Sequence, residues 1–197
     1  MRRVFAAAPG SNAVFSALCC LAAIACSFFV TSTVRAEQEL IVSAGKGLGD
    51  ALIQQKSISA AEMVGVNYSY LFSEFRGGIG YWQWWAQGSY SHMRLDYRGK
   101  KQRQNIFELK PVLRWYPDKD PHGIFGEVGV GAAYLTNKSF GDIQLTTKPN
   151  FALHFAGGYR LRSGYTLSLR YSHFSNAYTN TPNPGFDFAS LNGHFHF

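Results

Sequence analysis

From about residue 39 onward, the apolar residues of this chain fall on every second position. In "FELKPVLRWY" one face carries Phe107, Leu109, Pro111, Leu113 and Trp115, and the other carries Glu108, Lys110, Val112, Arg114 and Tyr116. In "FALHFAGGYRL" Phe151, Leu153, Phe155, Tyr159 and Leu161 share a face, with His154 and Arg160 opposite. A strand sends successive side chains to opposite faces, whereas a helix gathers positions three and four apart. Runs of period two recur with turn signals between them. They predict eight strands, roughly 39–47, 60–74, 79–94, 103–117, 122–137, 150–162, 164–176 and 186–197. The run at 79–94 does not declare its faces, because Tyr81, Trp82, Trp84 and Trp85 occupy both.

The connections alternate in length. Those at 75–78, 117–123 and 162–164 are short, and those at 48–59, 95–102, 138–149 and 177–185 are longer and polar. An even number of strands, apolar on one face and polar on the other, with short turns at one end and long loops at the other, describes an outer-membrane barrel. The expected fold is therefore all-β, an eight-stranded antiparallel transmembrane β-barrel whose polar face fills a narrow lumen. Trp82, Trp84, Trp115, Tyr134 and Tyr159 are candidates for its aromatic girdles. A soluble barrel of the lipocalin type is the alternative. It would turn the pattern inside out and place Glu108, Lys110, Arg114, Arg160 and Arg170 in solvent. The last strand ends on "HFHF", with Leu191, Gly193, Phe195 and Phe197 on one face. That ending resembles the assembly signal of bacterial barrels and favours the membrane.

Composition adds a route. Residues 1–36 read as a secretory signal: Arg2 and Arg3, then the apolar "AVFSALCCLAAIACSFFV", then Val34-Arg35-Ala36 at a cleavage site. A lipoprotein acylated at Cys26 is the weaker alternative. No later window holds ~18 consecutive apolar residues, so no transmembrane helix is expected after it. All three cysteines lie in this leader, which leaves residues 37–197, a single barrel domain, without disulfide, thiol nucleophile or cysteine metal site. The leader also holds three of the 19 Lys and Arg and none of the 12 acids, leaving 16 basic against 12 acidic residues. That balance, without a Lys/Arg block, gives no nucleic-acid surface and suits an anionic membrane.

Candidate chemistry sits at the outer end of the seventh strand. In "LSLRYSHFSNA" the face carrying Leu167 and Leu169 continues through Tyr171 to His173 and Ser175. With both barrel ends on the periplasmic side, this strand runs outward and residues 177–185 form an external loop. On the last strand Leu191, Phe195 and Phe197 fix the outward parity, and Asp187 shares it at the outer end. A serine, a histidine and a carboxylate thus converge on the lipid-facing surface at outer-leaflet depth. Serine is a weak nucleophile until a base takes its proton, and the base needs a partner that fixes its tautomer. The bland reading is a solvated rim cluster, because a carboxylate near the interface costs little.

These residues also carry a resemblance. "RYSHFSNAYTNTPNPGFD" resembles the C-terminal motif of the PagL family of lipid A 3-O-deacylases, whose pattern is His-x-Ser-Asn, a Pro-Asn-x-Gly turn and then an acid. His173, Ser175, Asn176, Pro182, Asn183 and Gly185 match it. Asp187 stands where the family usually has Glu, one methylene shorter. "LKPVLRWY" and "GEVGVGAAY" add to the likeness in layout. The resemblance implies an outer-membrane enzyme acting on lipid A of lipopolysaccharide, with Ser175 as nucleophile, His173 as general base and acid, Asp187 orienting His173, and Asn176 helping the oxyanion. By parity, however, the Asn176 side chain points away from the other three.

Other patterns carry less. His194 and His196 share the inward face, where a lumen polar network is expected rather than a metal site. "GKGLGD" lacks the ending and the following helix of a phosphate loop. No cofactor, metal or calcium requirement is read. A non-catalytic structural or adhesive barrel, and an outer-membrane phospholipase or acyltransferase, remain the alternative functions. Monomer and homodimer are both open.

Overall fold

A computed structural model describes residues 37–49 and 58–197. The expected leader over 1–36, with its cysteines, and most of the first long loop lie outside them. Ten β elements follow in order: β1 Gln38–Gly49, β2 Glu62–Gly77, β3 Gly80–Tyr97, β4 Lys100–Tyr116, β5 Gly123–Leu135, β6 Ser139–Phe140, β7 Ile143–Gln144, β8 Pro149–Arg160, β9 Tyr165–Ser175 and β10 Phe186–His196. Eight of them close a barrel in the order β1-β10-β9-β8-β5-β4-β3-β2, and the short β6 and β7 pair only with each other. Every seam is antiparallel, and β1 seals the ring against β10 from Glu39↔His196 to Gly49↔Asp187.

The apolar face is the outside. Val42, Val64, Leu109, Val130, Leu167, Leu169 and Leu191 are all exposed, while Glu39, Lys110, Arg114, Glu127, His154 and Arg170 are buried in the lumen. A soluble barrel cannot adopt this arrangement at acceptable cost, and a bilayer requires it, because a closed sheet leaves no unpaired edge in lipid. The faces of β3 resolve accordingly. Trp82 and Trp84 are half-buried on the outside, and Trp85 is fully buried inside under the Arg114 guanidinium. At the periplasmic end Trp82 packs against Phe75 and Trp115. Tyr134 and Tyr159 are exposed toward the two opposite rims.

The mid-lumen is an ion-pair network. Arg114 reaches Glu39 at 3.0 Å and Glu127 at 2.7 Å, and Glu127 also meets Arg170 and His154, each at 3.0 Å. Buried charges persist only when paired in this way. Gly129 makes the room: a Cβ there would lie 2.4 Å from the His154 ring. Below the network, His194 contacts Glu39 through Nδ1 and has its Nε2 at 2.8 Å from Ser168 Oγ, while His196 meets Glu37 and Thr166. Both histidines thus belong to lumen polar contacts.

Two expectations are corrected. The lumen is not polar throughout: its outer end is filled by an apolar plug that includes Met63, Met93, Leu95, Ile106, Phe174, Phe186 and Phe188, closed over by Ile58, Phe140 and Ile143 from the loops. The expected loop at 95–102 is strand almost to its tip, with only Arg98 and Gly99 between β3 and β4. Both have positive φ, 52° and 70°, as the two-residue hairpin turn that matches strand twist requires.

Candidate active site

Register builds the site. Across the β9–β10 seam His173 lies directly opposite Asp187, and across the β8–β9 seam it lies opposite Leu153. Ser175 is the next outward position on β9, opposite Phe151. Directly opposed side chains in an antiparallel pair stand close enough to touch. Here the His173 Nδ1–H donates to Asp187 Oδ1 at 2.6 Å. A carboxylate only accepts, so the proton is assigned to Nδ1 and the Nε2 lone pair is left free, the tautomer a general base needs.

The site is recessed although its parity is outward. Leu167 and Leu169 on the same face are 58% and 64% exposed, whereas Ser175 is 7% and Asp187 1% exposed. The bland reading of a carboxylate solvated at the rim does not hold: Asp187 is buried and hydrogen-bonded to His173. The Ser175 hydroxyl makes no hydrogen bond to the imidazole among the described residues. Such contacts often tighten only when substrate arrives. The backs of both strands are held firmly, because Phe174 and Phe186 face inward and pack on each other at 5.3 Å between ring centroids.

Asn176 does not point at this group. Its Nδ2 donates to Thr146 Oγ1 at 2.6 Å, to Asn180 O at 2.9 Å and to Pro182 O at 3.3 Å, and its Oδ1 accepts from Tyr178 N at 2.9 Å. Its own backbone N–H donates to Asn183 Oδ1 at 2.9 Å. One side chain thereby ties the 176–185 loop to itself and to the 136–148 loop. Parity alone signalled that it points away, but not that it organises the loop. Asn183 was visible in the sequence as part of the turn motif, and its part in holding the loop was not.

Fold and site together define a membrane-type β-barrel with a histidine–carboxylate pair and a serine recessed in its outward face. A family model described as lipid A 3-O-deacylase (PagL) matches residues 62–196, and the chain belongs to that family. It is 34% identical over 108 residues to the lipid A deacylase PagL of Bordetella bronchiseptica, covering 55% of this chain and 54% of that one. The chain thus spans about half the length of that relative. Among solved structures it resembles the crystal structure of the outer membrane enzyme PagL, with TM-score 0.64, 19% identity, and coverage of 80% of this chain and 98% of that one. It also resembles the N-terminal β-barrel domain of Pseudomonas aeruginosa OprF, with TM-score 0.50, 11% identity, and coverage of 82% and 97%. At these identities both likenesses speak for the fold.

Proposed function

We propose that this chain, exported by its 1–36 leader to the outer membrane, is an ester hydrolase that removes the 3-O-linked acyl chain from lipid A. Family membership supports the substrate, and the observation that carries the chemistry is the 2.6 Å hydrogen bond from His173 to a buried Asp187. With Nδ1–H committed to Asp187, Nε2 takes the Ser175 proton as Oγ attacks the ester carbonyl. The tetrahedral adduct collapses, the imidazolium returns that proton to the leaving sugar oxygen, and an acyl-serine remains. Water, deprotonated by the same Nε2, attacks the acyl-serine; the adduct collapses, the imidazolium returns the proton to Ser175 Oγ, and the fatty acid leaves. Asp187 orients the ring and stabilises its charged form.

The Asn176 amide donors are already spent on Thr146, Asn180 and Pro182, so its contribution is to fold the loop. Asn183 accepts the Asn176 N–H through its Oδ1 and so braces the same turn. An outward site suits the substrate, because an outer-leaflet lipid reaches the barrel wall laterally and needs no path through the plugged lumen.

The test is mass spectrometry of lipid A from a host lacking such an enzyme. Expression of the wild type should remove one ester-linked acyl chain, and Ser175→Ala should leave lipid A intact while still folding as a heat-modifiable barrel. Unchanged lipid A with the folded wild type, or deacylation by Ser175→Ala, would overturn the reading.

A further inference from the structure

The β3–β4 hairpin carries five cations, Arg94, Arg98, Lys100, Lys101 and Arg103, around its two-residue tip. In register Glu62 opposes Arg94 and Asp96 opposes Lys101, so two cations have carboxylates across from them. Arg94 and Arg103 oppose each other directly. Like charges in that position repel and destabilise a strand pair, unless an anion lies between them. Among the described residues neither arginine makes an ion pair. Both line a recess of about 410 Å³ together with Lys101, Glu62 and Asp96.

Arg94 is also pre-set. Its Nε–H donates to His92 Nε2 at 3.3 Å. His92 in turn donates Nδ1–H to Asn105 Oδ1 at 2.7 Å, and the Tyr90 hydroxyl donates to the same oxygen at 3.1 Å. The chain fixes one edge of the guanidinium and leaves its two terminal NH2 groups to bind elsewhere. A guanidinium held this way matches two phosphate oxygens at once.

Directly below this polar array the same outward face becomes apolar, with Phe107 packed on Tyr90 and Leu109 exposed. Cations above and a greasy wall below match an amphiphile. We propose that the outward face of β3–β4 at the outer rim binds the phosphorylated headgroup of an outer-leaflet lipid, with Arg94 and Arg103 on the phosphate and the acyl chains along Phe107 and Leu109. In the ring order β10-β1-β2-β3 the β3–β4 seam lies across the barrel from the β9–β10 seam. The lipid held there is a second molecule, not the one placed for hydrolysis, and the proposal goes beyond the deacylase reading without resting on it.

The experiment uses the full-length Ser175→Ala protein in detergent, so no turnover enters. Native mass spectrometry measures binding of bisphosphorylated lipid A and of the same lipid stripped of its phosphates. The expected result is a preference for the phosphorylated lipid of about tenfold or more, since charge-assisted hydrogen bonds are the strong ones. Adding R94Q and R103Q should bring the two lipids to near-equal binding, and adding R94K and R103K instead should keep part of the preference. Inorganic phosphate, at an ionic strength matched with chloride, should not displace the lipid. Equal binding of the two lipids by the parent, a preference that survives R94Q/R103Q, or displacement by millimolar inorganic phosphate would each overturn the proposal.

Discussion

In the proposed mechanism the decisive residue is Asp187. It is buried, it lies opposite His173 in register, and it fixes the proton on Nδ1. Asp187→Asn should preserve the barrel and lose most ester hydrolysis, because an amide can impose the wrong tautomer; the equivalent change in a serine protease costs roughly ten-thousand-fold. Asp187→Glu should retain activity well above Asp187→Asn, because it keeps the charge that the family's usual glutamate supplies. Asp187→Ala should also lower stability, by about 1–3 kcal/mol, since it leaves a partly buried imidazole donor unpaired. Rates of ester release and thermal unfolding of the three variants check this series. The pairing of His173 with Asp187, and the place of Ser175 one outward position further on β9, were legible from parity, because a strand's period of two is rigid enough to carry a face from Leu167 to Ser175. Burial was not legible. Alternation tells which way a side chain points, not what loops pack beside it, and the contacts of Asn176 with Thr146 and Asn180 span loops that carry no periodic signal.

At the scale of elements, β9 and β10 each have two jobs on their two faces. On β9 and β10 the outward residues His173 and Asp187 alternate with inward Phe174, Phe186 and Phe188, which pack in the outer plug. Phe186→Ala should cost about 3–5 kcal/mol by opening a void in that plug, and should reduce hydrolysis as well, because the seam holding the His173–Asp187 contact loses its backing. The melting of the heat-modifiable form and the rate of ester release would read the two effects. An unchanged melting temperature would contradict the plug's role. The plug escaped sequence reading for a physical reason. Where strands rise out of the bilayer the polarity of alternation inverts: Met93 and Leu95 face in, while Arg94 and Asp96 face water. A pattern read as apolar-out through the membrane therefore reads as a polar loop at 95–102, although the strands continue to a two-residue turn.

The whole molecule is held by its closed sheet and by a lumen in which distant strands share charges. Arg114 on β4 joins Glu39 on β1 and Glu127 on β5, and Glu127 joins Arg170 on β9. Arg114→Ala should destabilise the barrel by about 3–5 kcal/mol, because two buried carboxylates lose their shared partner; a melting temperature equal to wild type would contradict the network. This interior leaves the outward wall as the place for the proposed ester hydrolysis. The central claim, that Ser175 in that wall is a nucleophile activated by His173, is tested most directly with a long-chain alkyl fluorophosphonate. Attack by Oγ expels fluoride and leaves a stable phosphonyl-serine. Intact-mass analysis of the purified barrel should show one adduct, mapped to Ser175 by peptide sequencing, and strongly slowed labelling in His173→Ala. A folded protein that takes up no adduct, or one labelled elsewhere, would contradict the account.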